Sequence, residues 1–260
     1  MSTNKRVPLT EILRRIVLVL SILVFVACGT LLVLDYFPNV KTPDLTYAKE
    51  EDLFTNPEVL DDKKEEIQKS VRELKAENSD TVGFISIQGL NIDYPIVKGK
   101  DNDFYLKRNF YKKRDNKGSI FLDAYSNETQ SLNWLIYGHN MRSRAMFGNL
   151  RDYKSKSFYK DHKSMIITMH DDVAIYDVVA VCHTEIYPAD DDHFKYHYYS
   201  NIFTESDYNE YVKNIKKIAL YDTGITPVYG EQLVTLSTCR DSTGPRRIVI
   251  VARKRSSIAQ

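Results

Sequence analysis

The most informative stretch of this sequence is QLVTLSTCRDSTGPRRIVIVA, residues 232–252. Two apolar runs, Gln232–Thr238 and Arg247–Ala252, have the length and the β-branched content of strands. The polar segment between them, which contains glycine and proline, is typical of a connecting loop. The pattern predicts a hairpin with Cys239 where the first strand ends and Arg247 where the second begins.

Six more strands are predicted upstream of this hairpin. They are Val82–Ile87, Asn91–Val97, Ser119–Leu122, Leu132–Tyr137, Ser164–Met169 and Val173–Thr184. Mostly short turns join the strands, and regular helices do not alternate with them, so a doubly wound parallel sheet fits poorly. The sequence therefore predicts a mainly β fold, an eight-stranded closed or nearly closed barrel.

Two helices are predicted to flank the barrel. The first covers Pro57–Glu77, because Asn56 is a good N-cap, proline is favoured at the first helical position, and apolar residues follow at helical spacing. The second covers Thr204–Ala219, late among the strands, where Thr204 to Asp207 form a capping pattern ahead of an apolar face.

The run Ile16–Leu34 contains no charged residue. As a helix it would extend roughly 28 Å, close to the ~30 Å hydrocarbon core of a bilayer. A cleaved signal peptide or a lipidated Cys28 fits less well, because either would leave residues 30–34 as an apolar new terminus. We therefore expect an uncleaved transmembrane anchor in the cell membrane.

The charges on either side of this run predict its orientation. The residues before it carry a net charge of +3 and those after it −2, which leaves the N-terminus in the cytoplasm. The expected organisation is a cytoplasmic segment 1–15, the anchor 16–34, a linker 35–56 that contains prolines and no apolar period, and an extracytoplasmic domain 57–260.

Composition excludes several classes of protein. Of the 260 residues, 43% are hydrophobic and 27% are charged, which is typical of a globular chain. The net charge of +1 offers no basic face for nucleic acid. The three cysteines, Cys28, Cys182 and Cys239, lack the short paired spacing of a zinc ribbon or a disulfide scaffold. We predict no metal and no cofactor.

Cys239, Arg247 and His139 are the candidates for chemistry. A guanidinium beside a thiol favours the nucleophilic thiolate and can donate to an oxyanion. His139 follows Gly138 just past a predicted strand, where a turn can expose the imidazole for proton transfer. From these residues taken singly, a buried structural cysteine and an ordinary loop histidine are the more common explanations.

These motifs together resemble the sortases, the cysteine transpeptidases that anchor surface proteins in Gram-positive bacteria. The resemblance is carried by TLSTC at Thr235–Cys239, by Arg247 before an apolar strand, and by YGHNM at Tyr137–Met141 with MFG at Met146–Gly148. The placement of the two helices is most similar to class B. The resemblance covers roughly residues 57–253.

The resemblance implies a role for each candidate. Cys239 would be the nucleophile, His139 the general acid and Arg247 the oxyanion donor, with the backbone N–H of Arg240 as a possible second donor. The enzyme would cleave the C-terminal sorting signal of a secreted protein after threonine through a thioacyl intermediate. An amine of peptidoglycan precursor, or a pilin lysine, would then accept the acyl group. Arg240 departs from the acidic residue that some class B members have there.

Other interpretations remain open at this point. A hydrolytic cysteine peptidase would use the same Cys–His pair, and a non-catalytic surface-binding module would have an inert Cys239. Cys182 lies in an apolar run and is expected to be structural, and Cys28 lies in the membrane run. Asp190–Asp192 with His193 and His197 could suggest a metal site, but a solvated acidic loop is the better interpretation.

Overall fold

The structure, a computed structural model, describes residues 9–36, 51–239 and 244–256. The chain forms two compact units, residues 1–41 and 42–260. The first contains helix α1 (Leu9–Tyr36), whose apolar side chains between Leu13 and Val26 are exposed. Among the described residues, no helix has both the length and the apolar character needed to cross a membrane. The transmembrane anchor predicted over residues 16–34 is therefore not confirmed.

The second unit is built on a closed barrel. Its described strands are β1 (Thr81–Ile87), β2 (Ile92–Lys98), β3 (Ile120–Leu122), β4 (Asn133–Tyr137), β5 (Ser164–Met169), β6 (Asp172–Glu185), β7 (Leu233–Cys239) and β8 (Arg246–Lys254). They are ordered β1-β2-β3-β4-β7-β8-β6-β5, and β5 pairs with β1 to close the barrel. Two of the pairings, β2 with β3 and β4 with β7, are parallel. The predicted eight-stranded barrel is confirmed, with strand ends within two residues of those expected.

Alternation along the strands creates two apolar layers. All eight strands contribute side chains to one buried cluster inside the barrel, including Leu236 of β7 and Ile250 of β8. Residues that alternate with these along the strands, such as Leu233 of β7 and Val249 of β8, belong to a second cluster on the outer face. Helix α4 (Glu205–Lys217) and the 3-10 helix Tyr196–Tyr199 cover that face with buried tyrosines.

Helix α2 (Pro57–Glu77) covers another part of the barrel. It begins as predicted, with the Asn56 side chain accepting a hydrogen bond from the N–H of Glu58 (3.0 Å). Helix α4 likewise begins after its predicted cap, Thr204, and ends at Lys217, two residues before the predicted end. The described residues also include a short helix, α3 (Lys156–Asp161), which the sequence pattern did not predict.

The described residues of the predicted linker 35–56 include secondary structure. Residues 35 and 36 belong to α1, and residues 37–50 lie outside the described part of the chain. Residues Glu51–Phe54 form a 3-10 helix in which Leu53 and Phe54 are buried against α2, β5 and β6. This apolar pair explains the difference, because burying both side chains orders a segment that has no helical or strand period.

Arg255, just after β8, ties three segments of this domain together. Its Nε donates to the Asp177 carboxylate of β6 (3.0 Å), which its Nη2 also contacts. Nη2 also donates to Ser164 Oγ of β5 (2.9 Å), and Nη1 donates to the carbonyl of Thr55 ahead of α2 (2.8 Å). Asp177 is buried, so its charge depends on this guanidinium for compensation.

We expect Arg255→Ala to lower the free energy of unfolding by about 2 kcal/mol, because it leaves a buried carboxylate without its cation. The adjacent variant Lys254→Ala is the control. Lys254 pairs with Asp172, and the two side chains are 34% and 52% exposed, so its loss should cost less than about 1 kcal/mol. Unfolding of both variants in guanidinium chloride measures the two free energies. Equal losses of stability would contradict the role assigned to Arg255.

Candidate active site

His139 and Cys239 are brought together by the parallel pairing of β4 with β7. The register aligns Tyr137 with Ser237. The ladder continues one residue further, because the N–H of Gly138 donates to the carbonyl of Ser237 (3.2 Å). His139 follows Tyr137 by two residues and Cys239 follows Ser237 by two, so the two positions lie at the same level at the ends of neighbouring strands.

Arg247 lies on the other side of Cys239. The antiparallel register of β7 and β8 pairs Cys239 with Arg247, and β8 in turn pairs Arg247 with Thr184 of β6. The backbone therefore places His139, Cys239 and Arg247 side by side across the sheet. The side chain of Cys239 and residues 240–243, which include Arg240, lie outside the described part of the structure.

The His139 ring is held by a backbone carbonyl. Its Nε2 lies 2.7 Å from the carbonyl oxygen of Leu106, and the side chain is half-buried. Because a carbonyl oxygen only accepts hydrogen bonds, this contact assigns a proton to Nε2 and leaves Nδ1 as the nitrogen that can exchange one. Leu106 lies on the 3-10 helix Tyr105–Lys107, in the connection from β2 to β3.

The chain after His139 forms a closed turn that explains the glycines of both motifs. The N–H of Phe147 donates to the carbonyl of His139 (3.0 Å). A Cβ at Gly138 would lie 2.7 Å from the Phe147 ring, and a Cβ at Gly148 would lie 2.6 Å from the carbonyl oxygen of Met141. Both positions therefore require glycine for the turn to close against the strand end.

Arg151 stabilises the same turn by two side-chain hydrogen bonds. Its Nη2 donates to the carbonyl of Met141 (2.8 Å), and its Nε donates to that of Gly148 (2.5 Å). A planar guanidinium can serve two carbonyls in a fixed geometry, so the turn is held at two points. The sequence motifs gave no indication of this contact.

Hydroxyl groups line the outer face of β7 below the candidate nucleophile. Ser237 Oγ is 2.7 Å from the hydroxyl of Tyr196, and Thr235 Oγ1 is 2.6 Å from that of Tyr211. Thr235 in turn donates to the Asn133 side chain of β4 (2.9 Å). Burial raises the pKa of Tyr211, so its hydroxyl stays protonated as a donor.

The Arg247 guanidinium is half-buried and contacts the loop before it. Its Nη1 donates to the carbonyls of Gly244 (2.9 Å) and Arg246 (3.1 Å).

Burial, followed by the charges of Lys195 and Arg247, lowers the pKa of His197, on the 3-10 helix Tyr196–Tyr199. The structure thus brings His197 near Arg247, a proximity with no sequence signal. Arg246, the neighbour of Arg247, is exposed.

The other two cysteines have different surroundings. Cys182 is fully buried under α4, and burial raises the pKa of its thiol to about 12, which confirms it as a packing residue. Cys28 is exposed on α1.

The acidic loop has contacts of its own. His193 Nδ1 is 2.6 Å from the Asp191 carboxylate, which also accepts from the backbone N–H of His193 (2.7 Å). No cluster of three or more His, Cys, Asp or Glu side chains that could hold a metal occurs in the described ranges.

Comparison with known proteins places this geometry in context. A family model described as a sortase domain matches residues 85–255. Sortase B of Listeria monocytogenes is 33% identical over 67% of this chain and 68% of its own length. Sortase B of Staphylococcus aureus is 29% identical over 92% of this chain and 95% of its own length. A solved Staphylococcus aureus sortase B–substrate complex is similar with a TM-score of 0.65 and 26% identity, over 80% of this chain and 94% of that one.

Proposed function

This chain belongs to the sortase family and is a cysteine transpeptidase of class B, and from that membership we propose its substrates and its catalytic residues. We propose that it cleaves the C-terminal sorting signal of a secreted protein after threonine and passes the new acyl end to an amine. The observation that carries this proposal is the backbone register that aligns His139, Cys239 and Arg247 at one end of the barrel.

In the first step the Cys239 thiolate attacks the threonine carbonyl. Positions 237 and 239 are two residues apart on β7 and so belong to the same face of the strand, where Ser237 contacts Tyr196. Arg247 is paired directly with Cys239, and a guanidinium at that position favours the thiolate over the thiol. A C–S bond forms, and the negative charge moves onto the carbonyl oxygen.

His139 supplies the proton that allows the amide to leave. With Nε2 bonded to the Leu106 carbonyl, the imidazolium has its second proton on Nδ1. Transfer of that proton to the amide nitrogen accompanies C–N cleavage and leaves a thioacyl-enzyme and a neutral imidazole. Arg247, together with the backbone N–H of Arg240, is proposed to stabilise the oxyanion.

In the second step His139 accepts a proton instead of donating one. An acceptor amine attacks the thioacyl carbon and gives a proton to Nδ1 of neutral His139, after which the thiolate departs. We propose an amine of peptidoglycan precursor as acceptor, and a pilin lysine is the same chemical class. Attack by water instead of the amine would release a free carboxylic acid.

We also propose that residues 16–34 anchor the chain in the cell membrane, with the N-terminus in the cytoplasm and the catalytic domain outside. Among the described residues no helix is long and apolar enough to span a membrane, so the proposed anchor rests on the uncharged run in the sequence and its basic flank. The exposed apolar side chains of α1 agree with it.

We expect Cys239→Ala to abolish both the thioacyl adduct and peptide cleavage, because it removes the proposed nucleophile. Threonine-containing peptides incubated with and without triglycine, followed by mass analysis, measure cleavage and transfer separately. Cys182→Ala is the control, since it removes a buried thiol with a raised pKa and should cost only stability. Cleavage by the Cys239→Ala protein would refute the proposed nucleophile, and release of free acid alone would indicate a hydrolase.

We expect Arg247→Lys to lower turnover by roughly 10²–10³-fold, the scale for loss of one oxyanion donor. The charge remains, but an ammonium does not reproduce the planar guanidinium. Arg246→Lys is the matched control, because Arg246 is exposed and paired with Glu185 instead of Cys239. Steady-state kinetics with one peptide compares the two, and an inactive Arg246→Lys beside an active Arg247→Lys would move the assignment by one residue.

We expect the full chain to sediment with cell membranes and to resist extraction by alkaline carbonate. A version that lacks residues 1–41, the first compact unit, should appear in the soluble fraction. Recovery of the full chain in the soluble fraction would exclude the proposed anchor.

A further inference from the structure

The 3-10 helix Tyr105–Lys107 presents its middle carbonyl to His139. The carbonyl of Tyr105 accepts from the N–H of Ser119 (3.0 Å), and that of Lys107 accepts from the N–H of Asp115 (3.0 Å). The carbonyl between them, that of Leu106, lies 2.7 Å from His139 Nε2. The backbone of the returning loop thus holds the two flanking carbonyls while the middle one meets the imidazole.

Tyr105 fixes this helix from the side of α2. Its side chain has no exposed surface, and burial raises the pKa of its phenol, so the group stays a neutral donor. The hydroxyl donates to the Asp80 carboxylate (2.7 Å) and accepts from Nδ2 of Asn78 (2.9 Å). A buried phenol with both hydrogen-bonding functions used has one defined position.

Asn78 links that phenol to the rest of the domain. It is the C-cap residue of α2, and its Nδ2 also donates to the carbonyl of Phe110 (2.8 Å), further along the same loop. Its Oδ1 accepts from the N–H of Asp80, just before β1 (3.0 Å). One buried amide therefore joins the end of α2, the start of β1 and two points of the loop that carries Leu106.

Gly118 packs closely against the carbonyls of this helix. Its φ of +61° is in the left-handed region, and a Cβ there would lie 2.7 Å from the carbonyl oxygens of both Tyr105 and Leu106. Gly118 therefore approaches the Leu106 carbonyl closely, and the Tyr105–Asn78–Asp80 network holds the residue just before it.

From this arrangement we propose that Tyr105 is a positioning residue, which acts through the Leu106 carbonyl to keep the His139 proton on Nε2 and Nδ1 directed to the reaction. The inference rests on the proposed role of His139 as general acid. A carbonyl that accepts from Nε2–H fixes the ring orientation and the tautomer, and it stabilises the imidazolium through a charge-assisted bond. If the carbonyl moves, neutral imidazole distributes its proton over both nitrogens.

Tyr105→Phe tests the proposal, because it removes the two hydroxyl contacts and keeps the ring. Long-range proton–nitrogen spectra of the full chain with ¹⁵N-labelled histidine, above neutral pH, report the tautomer of His139, assigned with His139→Ala. We expect the Nε2–H pattern in the unmodified protein and an average of both tautomers in Tyr105→Phe. Peptide kinetics should show kcat lowered roughly 10-fold with KM nearly unchanged, the scale for loss of a group that orients a reacting one.

Tyr208→Phe is the matched control. Tyr208 is also fully buried, and its hydroxyl donates to the carbonyl of Glu231 near the start of β7, at the opposite end of that strand from Cys239. We expect it to keep both the tautomer and kcat. Asn78→Asp, which removes the Nδ2 donor and keeps the side-chain shape, should act like Tyr105→Phe and replaces it if that variant does not fold.

The outcomes separate cleanly. An unchanged Nε2–H pattern in a folded Tyr105→Phe or Asn78→Asp protein overturns the proposal. Equal losses of kcat in Tyr105→Phe and Tyr208→Phe also overturn it, because they indicate a general effect on stability. Cleavage by His139→Ala would refute the proposed general acid alone, since the spectra report the tautomer whether or not His139 takes part in the reaction.

Discussion

Parallel hydrogen bonds between β4 and β7 are the constraint on which the candidate site depends. They join strands separated by about one hundred residues of sequence, from Asn133 paired with Leu233 to Tyr137 paired with Ser237. Their common direction makes both strands end at the same edge of the barrel, so the residues that follow them meet there. An antiparallel pairing would put His139 and Cys239 at opposite ends of the sheet.

The two faces of β7 and β8 differ in the side chains they carry. The inner face fills the barrel with apolar side chains such as Leu236 and Ile250. The outer face carries the hydroxyls of Thr235 and Ser237, each in contact with a buried tyrosine hydroxyl. These two hydroxyls can be buried because each has a hydrogen-bond partner. The high tyrosine content of the chain thus has a structural use, since a phenol packs as an aromatic ring and still satisfies a strand hydroxyl.

His139 is positioned by the turn that follows it and by a carbonyl from a distant loop. Phe147 and Arg151 hydrogen-bond to carbonyls of the turn that follows it, and its Nε2 contacts the carbonyl of Leu106, whose neighbour Tyr105 is hydrogen-bonded to the C-cap residue of α2. If His139 transfers the proton as proposed, an imidazole that is already oriented needs no reorganisation when substrate binds. This explains why helix α2, far from the reacting atoms in sequence, belongs to the architecture of the site.

Local patterns in the sequence were sufficient for the elements and for the family. Apolar periodicity located all eight strands, and the caps at Asn56 and Thr204 located the starts of both long helices of the domain, because these signals act within a few residues. The motifs around His139 and Cys239 were sufficient to identify a sortase. The burial of Leu53 and Phe54 was missed, because it depends on a distant partner surface on α2, β5 and β6.

The tertiary structure decided everything that depends on register between distant segments. Because β8 is apolar on both faces, its periodicity does not distinguish Arg246 from Arg247, and Arg247 was predicted from the family resemblance alone. The pairing with β7 places Arg247 opposite Cys239. The Leu106 carbonyl could not be predicted at all. A backbone carbonyl is common to every residue, so no sequence pattern marks the one that a fold directs at a histidine.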